Sequence, residues 1–287
     1  MFAQIFVNSI ISGSIYALNA FGFTLIYGTM QFFNMAYGIN VMLGAYLFYI
    51  LWSICHVNFA LSIVLTLIGV AALMVGVDRA TYFQLRKRNV PSWVILITSV
   101  AVQVTFEACT SMVFGNEMHL VIKDIPKSYS VLGASITVIQ ISILLVSILV
   151  MASMSIFLKR AKIGKVIRAI ANDKNMALVI GVDVERVYVL VIILGSLLAS
   201  IAGILISFET NIYPFMCHPA SLKAITASMI GGVGRLPGAM IAGFLLGIAE
   251  NFGAWVVGSN WKDAISLVII VLMILIRPSF FGIEENR

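Results

Sequence analysis

Charge is what this 287-residue sequence has least of: Asp, Glu, Lys and Arg together make up 10% of it, against about a quarter in soluble globular chains. No charge-rich stretch is long enough to build a soluble domain beside the rest, so residues 1–287 are expected to form one integral membrane domain. Cysteine is also scarce. Cys55, Cys109 and Cys217 are scattered with neither ligand-like nor framework spacing, which argues against a metal site and a disulfide scaffold. Catalytic signatures are missing: there is no G-x-x-x-x-G-K-[ST] phosphate loop, no G-x-S-x-G elbow and no H-E-x-x-H pair, so any ATP used with this protein has to be bound by another chain. The first apolar run lacks Lys and Arg and has no small-residue cleavage site, so it is expected to stay as a helix and not to be removed as a signal peptide.

What fills the chain is apolar sequence, 61% of it. A spanning helix needs about 20 mostly apolar residues, and runs of that kind cover Ile5 to Tyr27, Phe33 to Ile54, Phe59 to Val77, Pro91 to Phe114, Val131 to Leu158 and Val187 to Phe208. Leu222 to Val257 and Ala264 to Ile276 complete the set. The expected fold is an all-α membrane protein with about eight transmembrane helices. The formal net charge of +6 does not point to nucleic acid, because the basic residues sit in short loops without interleaved aromatics. Topology explains them: Arg79, Arg86, Lys87 and Arg88 follow the third run and seven Lys or Arg lie between Lys159 and Arg186, while the opposite loops carry only Lys123 and Lys127. The positive-inside rule makes the basic loops cytoplasmic and the N-terminus external. His56, His119 and His218 then fall in or beside outer loops, as exposed or interfacial side chains.

Leu222 to Val257 does not read as one helix. Gly231, Gly232, Gly234, Pro237 and Gly238 interrupt it around Arg235, and proline removes a donor while glycine weakens the helix. A short helix followed by a full one is expected, with Arg277 and Arg287 ending inside. Irregular backbone at that depth needs cover from protein or a water-filled cavity.

Several runs carry polar faces. Asn8, Ser12, Tyr16 and Asn19 recur at helical spacing in the first, beside a small-residue stripe of Ser9, Gly13, Ala17 and Ala20. Such a pattern suits a packing seam or the lining of a path. Asn34, Tyr37 and Gly38 are expected on one face of the second, and Ser99, Gln103, Glu107 and Thr110 on one face of the fourth. An acid within a span marks a partner or a pathway. For Glu107 and Glu250 alike, solvation near the outer headgroups is the alternative.

Lys159 to Arg186 is the one long polar island. Val166, Ile167 and Ile170 recur at helical spacing opposite Lys162, Lys165 and Arg168, which makes a short amphipathic helix. Asn172 or Asp173 can cap a second helix, Lys174 to Ile180, with Gly181 as its C-terminal glycine. On physics alone this helical pair either rests on anionic lipid headgroups or meets another protein.

The run Arg168, Ala169, Ile170, Ala171, Asp173, Ala177, Gly181 and Val182 resembles the cytoplasmic loop of permease subunits of the branched-chain amino acid (LIV-type) ABC importers. Three further stretches agree in order: Asn34 with Ala36, Gly38 and Met42 to Tyr46; Gly231 to Ala239; and Lys262 and Asp263 with Arg277, Pro278, Phe281 and Gly282. The resemblance implies a multi-pass permease of the bacterial inner (plasma) membrane that pairs with a second, homologous or identical, permease. Two cytoplasmic ABC ATPases would carry ATP and Mg, and an extracytoplasmic solute-binding protein would deliver cargo. It implies ATPase coupling through Arg168, Ala169, Asp173, Ala177 and Gly181, and alternating access along Asn8, Ser12, Asn19, Asn34, Tyr37, Gln103 and Glu107. Where the family usually has a His-Gly-Glu pattern this chain has Tyr37, Gly38 and Ile39, and Arg235 stands at an often small polar position. Urea or short amides are therefore alternative cargoes, and an ATP-independent transporter or channel the alternative class.

Overall fold

The computed structural model describes residues 2–121, 128–131, 134–232, 234–258 and 261–276. Lys123, Lys127, Val233, Arg277, Pro278, Phe281, Gly282 and Arg287, used above for topology and resemblance, lie outside the described residues. The described chain is helical apart from one hairpin and short connections. Helix α1 is Phe2–Met30, α2 Tyr37–Phe48, α3 Phe59–Val77, α4 Phe83–Lys87 and α5 Ser92–Phe114. A hairpin of β1, Ser128–Val131, and β2, Ala134–Thr137, leads into α6, Val138–Arg160. Then come α7, Lys162–Asn172, α8, Lys174–Val179, α9, Val184–Glu209, α10, Cys217–Gly231, α11, Leu236–Val257, and α12, Lys262–Ile276.

Among the described residues seven helical stretches are long and apolar enough to cross a membrane. They are α1, α2 with its π-helical extension Tyr49–Ile54, α3 continued through a π-helical turn into α4, α5, α6, α9 and α11. In α1 89% of the most apolar window is buried, against 22% in α3, α5 and α6, so α1 is the central helix and those three are peripheral. Lipid can cover the apolar sides of α3, α5 and α6, whereas the polar and small residues of α1 find their partners in protein. The small stripe of α1 is a packing seam. Gly13 and Ala17 meet the backbone and side chains of Phe244, Gly247 and Gly243 of α11, and Ala20 packs with Ala239, Ala242 and Leu246. No side chain could be added at Gly243 or Gly247 without striking α1, the close approach that membrane helices use where lipid supplies no hydrophobic driving force.

Local signals set the ends. Thr137 and Gln140 form a reciprocal capping box that starts α6, and Asn58 and Asp183 cap α3 and α9. The Gln4 side chain holds the backbone of Ser135 through both its amide atoms, at 2.7 and 3.1 Å, tying the outer hairpin to α1. This hairpin occupies residues that the apolar run Val131 to Leu158 suggested as helix. The second helix also starts later than its hydropathy, at Tyr37 and not Phe33. After the Gln31 N–H closes the last turn of α1 on the Tyr27 carbonyl at 2.8 Å, residues 32–36 run without helical pairing until the Tyr37 N–H reaches the Asn34 carbonyl at 3.3 Å. Asn34 and Tyr37 consequently do not share a helical face.

The segment from 217 to 257 is a short helix and a full helix joined at Gly232 to Arg235. Gly232 and Gly234 take φ of 90° and 76°, a left-handed region open to glycine. Gly231 and Gly238 bring their backbones together, since a Cβ on either would collide with the other. Pro237 sits in the first turn of α11, where its missing N–H leaves no intrahelical bond unmade. Among the described residues α12, at 15 residues, is shorter than a spanning helix.

Candidate functional site

Two polar regions stand out, one on each side of the bundle when the basic loops are taken as cytoplasmic. The outer one is a chamber of about 290 Å³ between α1, α9, α10 and α12. Ser12, Tyr16 and Asn19 reach it from one face of α1. Lys223 enters from α10, and its Nζ contacts the Glu250 carboxylate at 2.7 Å, the Asp263 carboxylate at 3.0 Å and the Tyr16 hydroxyl at 3.1 Å. Those three partners match the three N–H donors of an ammonium. Glu250 is fully buried and the Lys223 side chain is 12% exposed. Solvation of Glu250 near headgroups is therefore ruled out: the acid is buried because a buried cation compensates it. Lys262 donates to Asn251 at 3.0 Å beside the chamber. Asn19 donates to the Ala220 carbonyl at 2.8 Å, while its Oδ1 accepts from no described residue. In the connection above the chamber, burial pushes the Tyr213 phenol above its usual pKa; Asp263 adds to this and Lys223 opposes it.

Sequence spacing pointed to Ser12, Tyr16 and Asn19 but not to Lys223, Asp263 or Tyr213. The available signal was the pair Lys223 and Glu250, two opposite charges inside apolar sequence that need each other once buried. The remaining expected path residues do not join the chamber. Asn8 accepts from Gln4 at 3.2 Å near the start of α1. The Tyr37 hydroxyl is buried against the Asn19 carbonyl at 2.8 Å. Asn34 accepts from the Tyr82 hydroxyl at 3.2 Å.

Gln103 and Glu107 belong to a separate cluster where α5 meets the start of α10. The Gln103 amide donates to Glu107 at 3.1 Å, and its nitrogen lies 2.9 Å from Nδ1 of His218. Nε2 of His218 lies 2.8 and 3.0 Å from the two Glu107 oxygens, and the Cys217 thiol also donates to Glu107. Glu107 is only 5% exposed, and Gln103, Cys217 and His218 surround its carboxylate. Three potential metal-binding types meet here, yet among the described residues no group has the arrangement to hold a metal ion.

At the basic end of the bundle α7 and α8 form a helical hairpin. Gly164, Ile167 and Ile170 bury against the bundle, and Arg168, although exposed at its own surface, donates to the Leu158 carbonyl at the end of α6. Of the two candidate caps it is Asp173 that acts, accepting from the Met176 N–H at 3.0 Å. Gly181 follows with φ of 82°. Ala169 is exposed, and α8 buries only Ala177 while presenting Met176, Leu178 and Val179 to the outside. Besides the Arg168 contact, the hairpin is tied to the body at two points. Gln31 at the end of α1 donates to the Ala171 carbonyl at 3.2 Å. Lys174 lies over the Tyr188 ring of α9 at 5.9 Å, and Arg86 covers the same ring at 5.2 Å. Arg86 in turn pairs with Asp78 at 2.7 Å and Glu185 at 2.9 Å, which locks the end of α3 to the start of α9. A second cavity, about 490 Å³, is lined by Lys159, Gly164 and Arg168 from the polar island and by Gly234, Arg235 and Pro237 from the helix break. Two stretches about 70 residues apart in sequence thus share one wall.

The model of the family described as "Branched-chain amino acid transport system / permease component" matches residues 5–276. A high-affinity branched-chain amino acid transport system permease protein, BraD of Pseudomonas aeruginosa, is 30% identical, with 97% of this chain and 94% of that protein covered. LivH of Escherichia coli K12, of the same description, is 31% identical with the same coverage. A probable branched-chain amino acid transport permease protein LivH of Methanocaldococcus jannaschii is 27% identical over 96% of this chain and 90% of that one. With its apolar helices, the chain is a multi-pass protein of the inner membrane and a transport subunit, not an enzyme. A family match over nearly the whole length, on a bundle of spanning helices with a broken segment, means that this protein belongs to the branched-chain amino acid ABC transport permease family.

Proposed function

We propose that this chain is the membrane-spanning permease subunit of an ATP-driven importer for branched-chain amino acids. It works beside a second permease, homologous or identical, two cytoplasmic ABC ATPases that hold ATP and Mg, and an extracytoplasmic solute-binding protein. The names of its relatives support the cargo.

The observation that carries the mechanism is a continuous physical link between the two polar regions. The polar island and the helix break line one cavity, and α10 runs from that break to the outer chamber, where it contributes Ala220 and Lys223. Motion of the hairpin is therefore delivered to a half-helix that ends at the solute side. Rigid helices pivoting at a glycine break are what alternating access requires. Coupling is assigned to Arg168, Ala169, Asp173, Ala177 and Gly181. The apolar side chains that α8 leaves exposed supply a surface for an ATPase groove.

The test is Gly181→Pro. Its φ of 82° is closed to proline, and the substitution also removes the N–H that donates to the Leu178 carbonyl at 3.0 Å. ATP-dependent uptake in proteoliposomes should be abolished while membrane insertion and assembly of the permease are retained. Full uptake by this variant, or flux in the wild type without ATP, would defeat the proposal and favour an ATP-independent transporter.

A further inference from the structure

Resting on that transport reading, we infer that the outer chamber is itself the solute subsite within this subunit, built for an α-amino acid with an aliphatic side chain: Asn19 receives the ammonium and Lys262 the carboxylate. Asn19 is 2% exposed, and the Ala220 carbonyl fixes its orientation. A carbonyl can only accept, so the group facing it is the amide nitrogen, and Oδ1 is the atom left over. That Oδ1 is a buried acceptor with no described donor, on a residue that lines the chamber. A buried acceptor left empty is costly, and an N–H donor from solute removes the cost.

Lys223 cannot serve the opposite end. Its three donors are taken by Tyr16, Glu250 and Asp263. Lys262 also lines the chamber, near the Glu209 carboxylate, and its one described hydrogen bond, to Asn251, leaves donors for a solute carboxylate. Between them Ile15, Ile206 and Met216 supply apolar wall. At about 290 Å³ the chamber falls at the small end of ligand pockets, which run from roughly 300 to 1,000 Å³. A donor at one end, an acceptor at the other and an aliphatic wall between them fit a zwitterion. A bare ion would leave the apolar wall unused.

Two measurements on the reconstituted importer test this. The first is the KM for leucine uptake, with binding protein present, in Asn19→Leu. It should rise about tenfold or more, as expected for the loss of one hydrogen bond to a charged group. The second needs no transport: Ser12→Cys, with the exposed Cys55 and Cys109 replaced by serine, is labelled by a membrane-impermeant maleimide without binding protein. Leucine should slow labelling, whereas 4-methylpentanoate, which lacks the ammonium, and isopentylamine, which lacks the carboxylate, should not. Leucine uptake with no protection of Ser12→Cys and an unchanged KM in Asn19→Leu overturns the subsite and leaves the transport reading in place. Protection by leucine without leucine uptake in the wild type overturns the transport reading and supports the subsite.

Discussion

The outer chamber and the basic hairpin are both polar regions in an apolar protein, and they handle charge in opposite ways. Around the chamber each buried charge is neutralised: Lys223 by Glu250 and Asp263, with Glu250 fully buried. On the hairpin Lys162, Lys165, Arg168, Asp173 and Lys174 are exposed, and no ion pair is described for any of them among the described residues. Water and headgroups can solvate the charges of the second set, so they need no ion-pair partner. The first set has no such solvent, and its charges survive only in a fixed arrangement. One region is therefore held together by ion pairs and the other is not.

That contrast can be broken by substitution. The largest effect is expected from Glu250→Ala, which leaves Lys223 with its better-buried partner gone. Removing one member of a buried pair costs about 3–5 kcal/mol, read as a fall in the detergent-solubilised unfolding temperature. An unchanged melting temperature would show that the chamber is wetter than its burial indicates. Next is Gly243→Val on α11. Its added side chain strikes the Ala17 backbone, and overpacking of this kind costs about 1–3 kcal/mol, seen again in thermal unfolding. Asp173→Ala should cost about 1 kcal/mol, all of it local. Amide exchange should quicken over Lys174–Val179 and leave α9 protected. Lys165→Gln, an exposed charge without a described partner, should change stability by no more than about 0.5 kcal/mol. If Lys165→Gln destabilised the fold as much as Glu250→Ala, the two regions would not differ in the way described.

Much of this was legible along the chain because membrane helices announce themselves by length and composition. The hairpin α7–α8 was equally legible: its apolar period, Asp173 and Gly181 are local signals that act within a few residues. The hairpin of β-strands before α6 was not, since Val131 to Thr137 continues the apolar run of the helix that follows, and the Thr137–Gln140 capping box marks the boundary. The late start of α2 is the same kind of case. Hydropathy continues through residues 33–36, but they pair with side chains from other helices, as Asn34 does with Tyr82. The polar face of α1 was visible as spacing. Its division of labour was not: Ser12, Tyr16 and Asn19 turn to the chamber, whereas Ser9, Gly13 and Ala17 turn to α11.

By itself the sequence determined that this protein is a bundle of membrane helices with one broken span and one basic helical hairpin. Those features depend on local composition, on glycine and proline, and on caps that close within a turn. Tertiary structure alone decided that Lys223 finds Glu250, that Glu107 finds His218, and that the polar island meets the helix break across a shared cavity. Each of these joins residues distant in the chain, and the choice among possible partners is made by which helices pack against α1, a matter of shape and burial that no local pattern encodes.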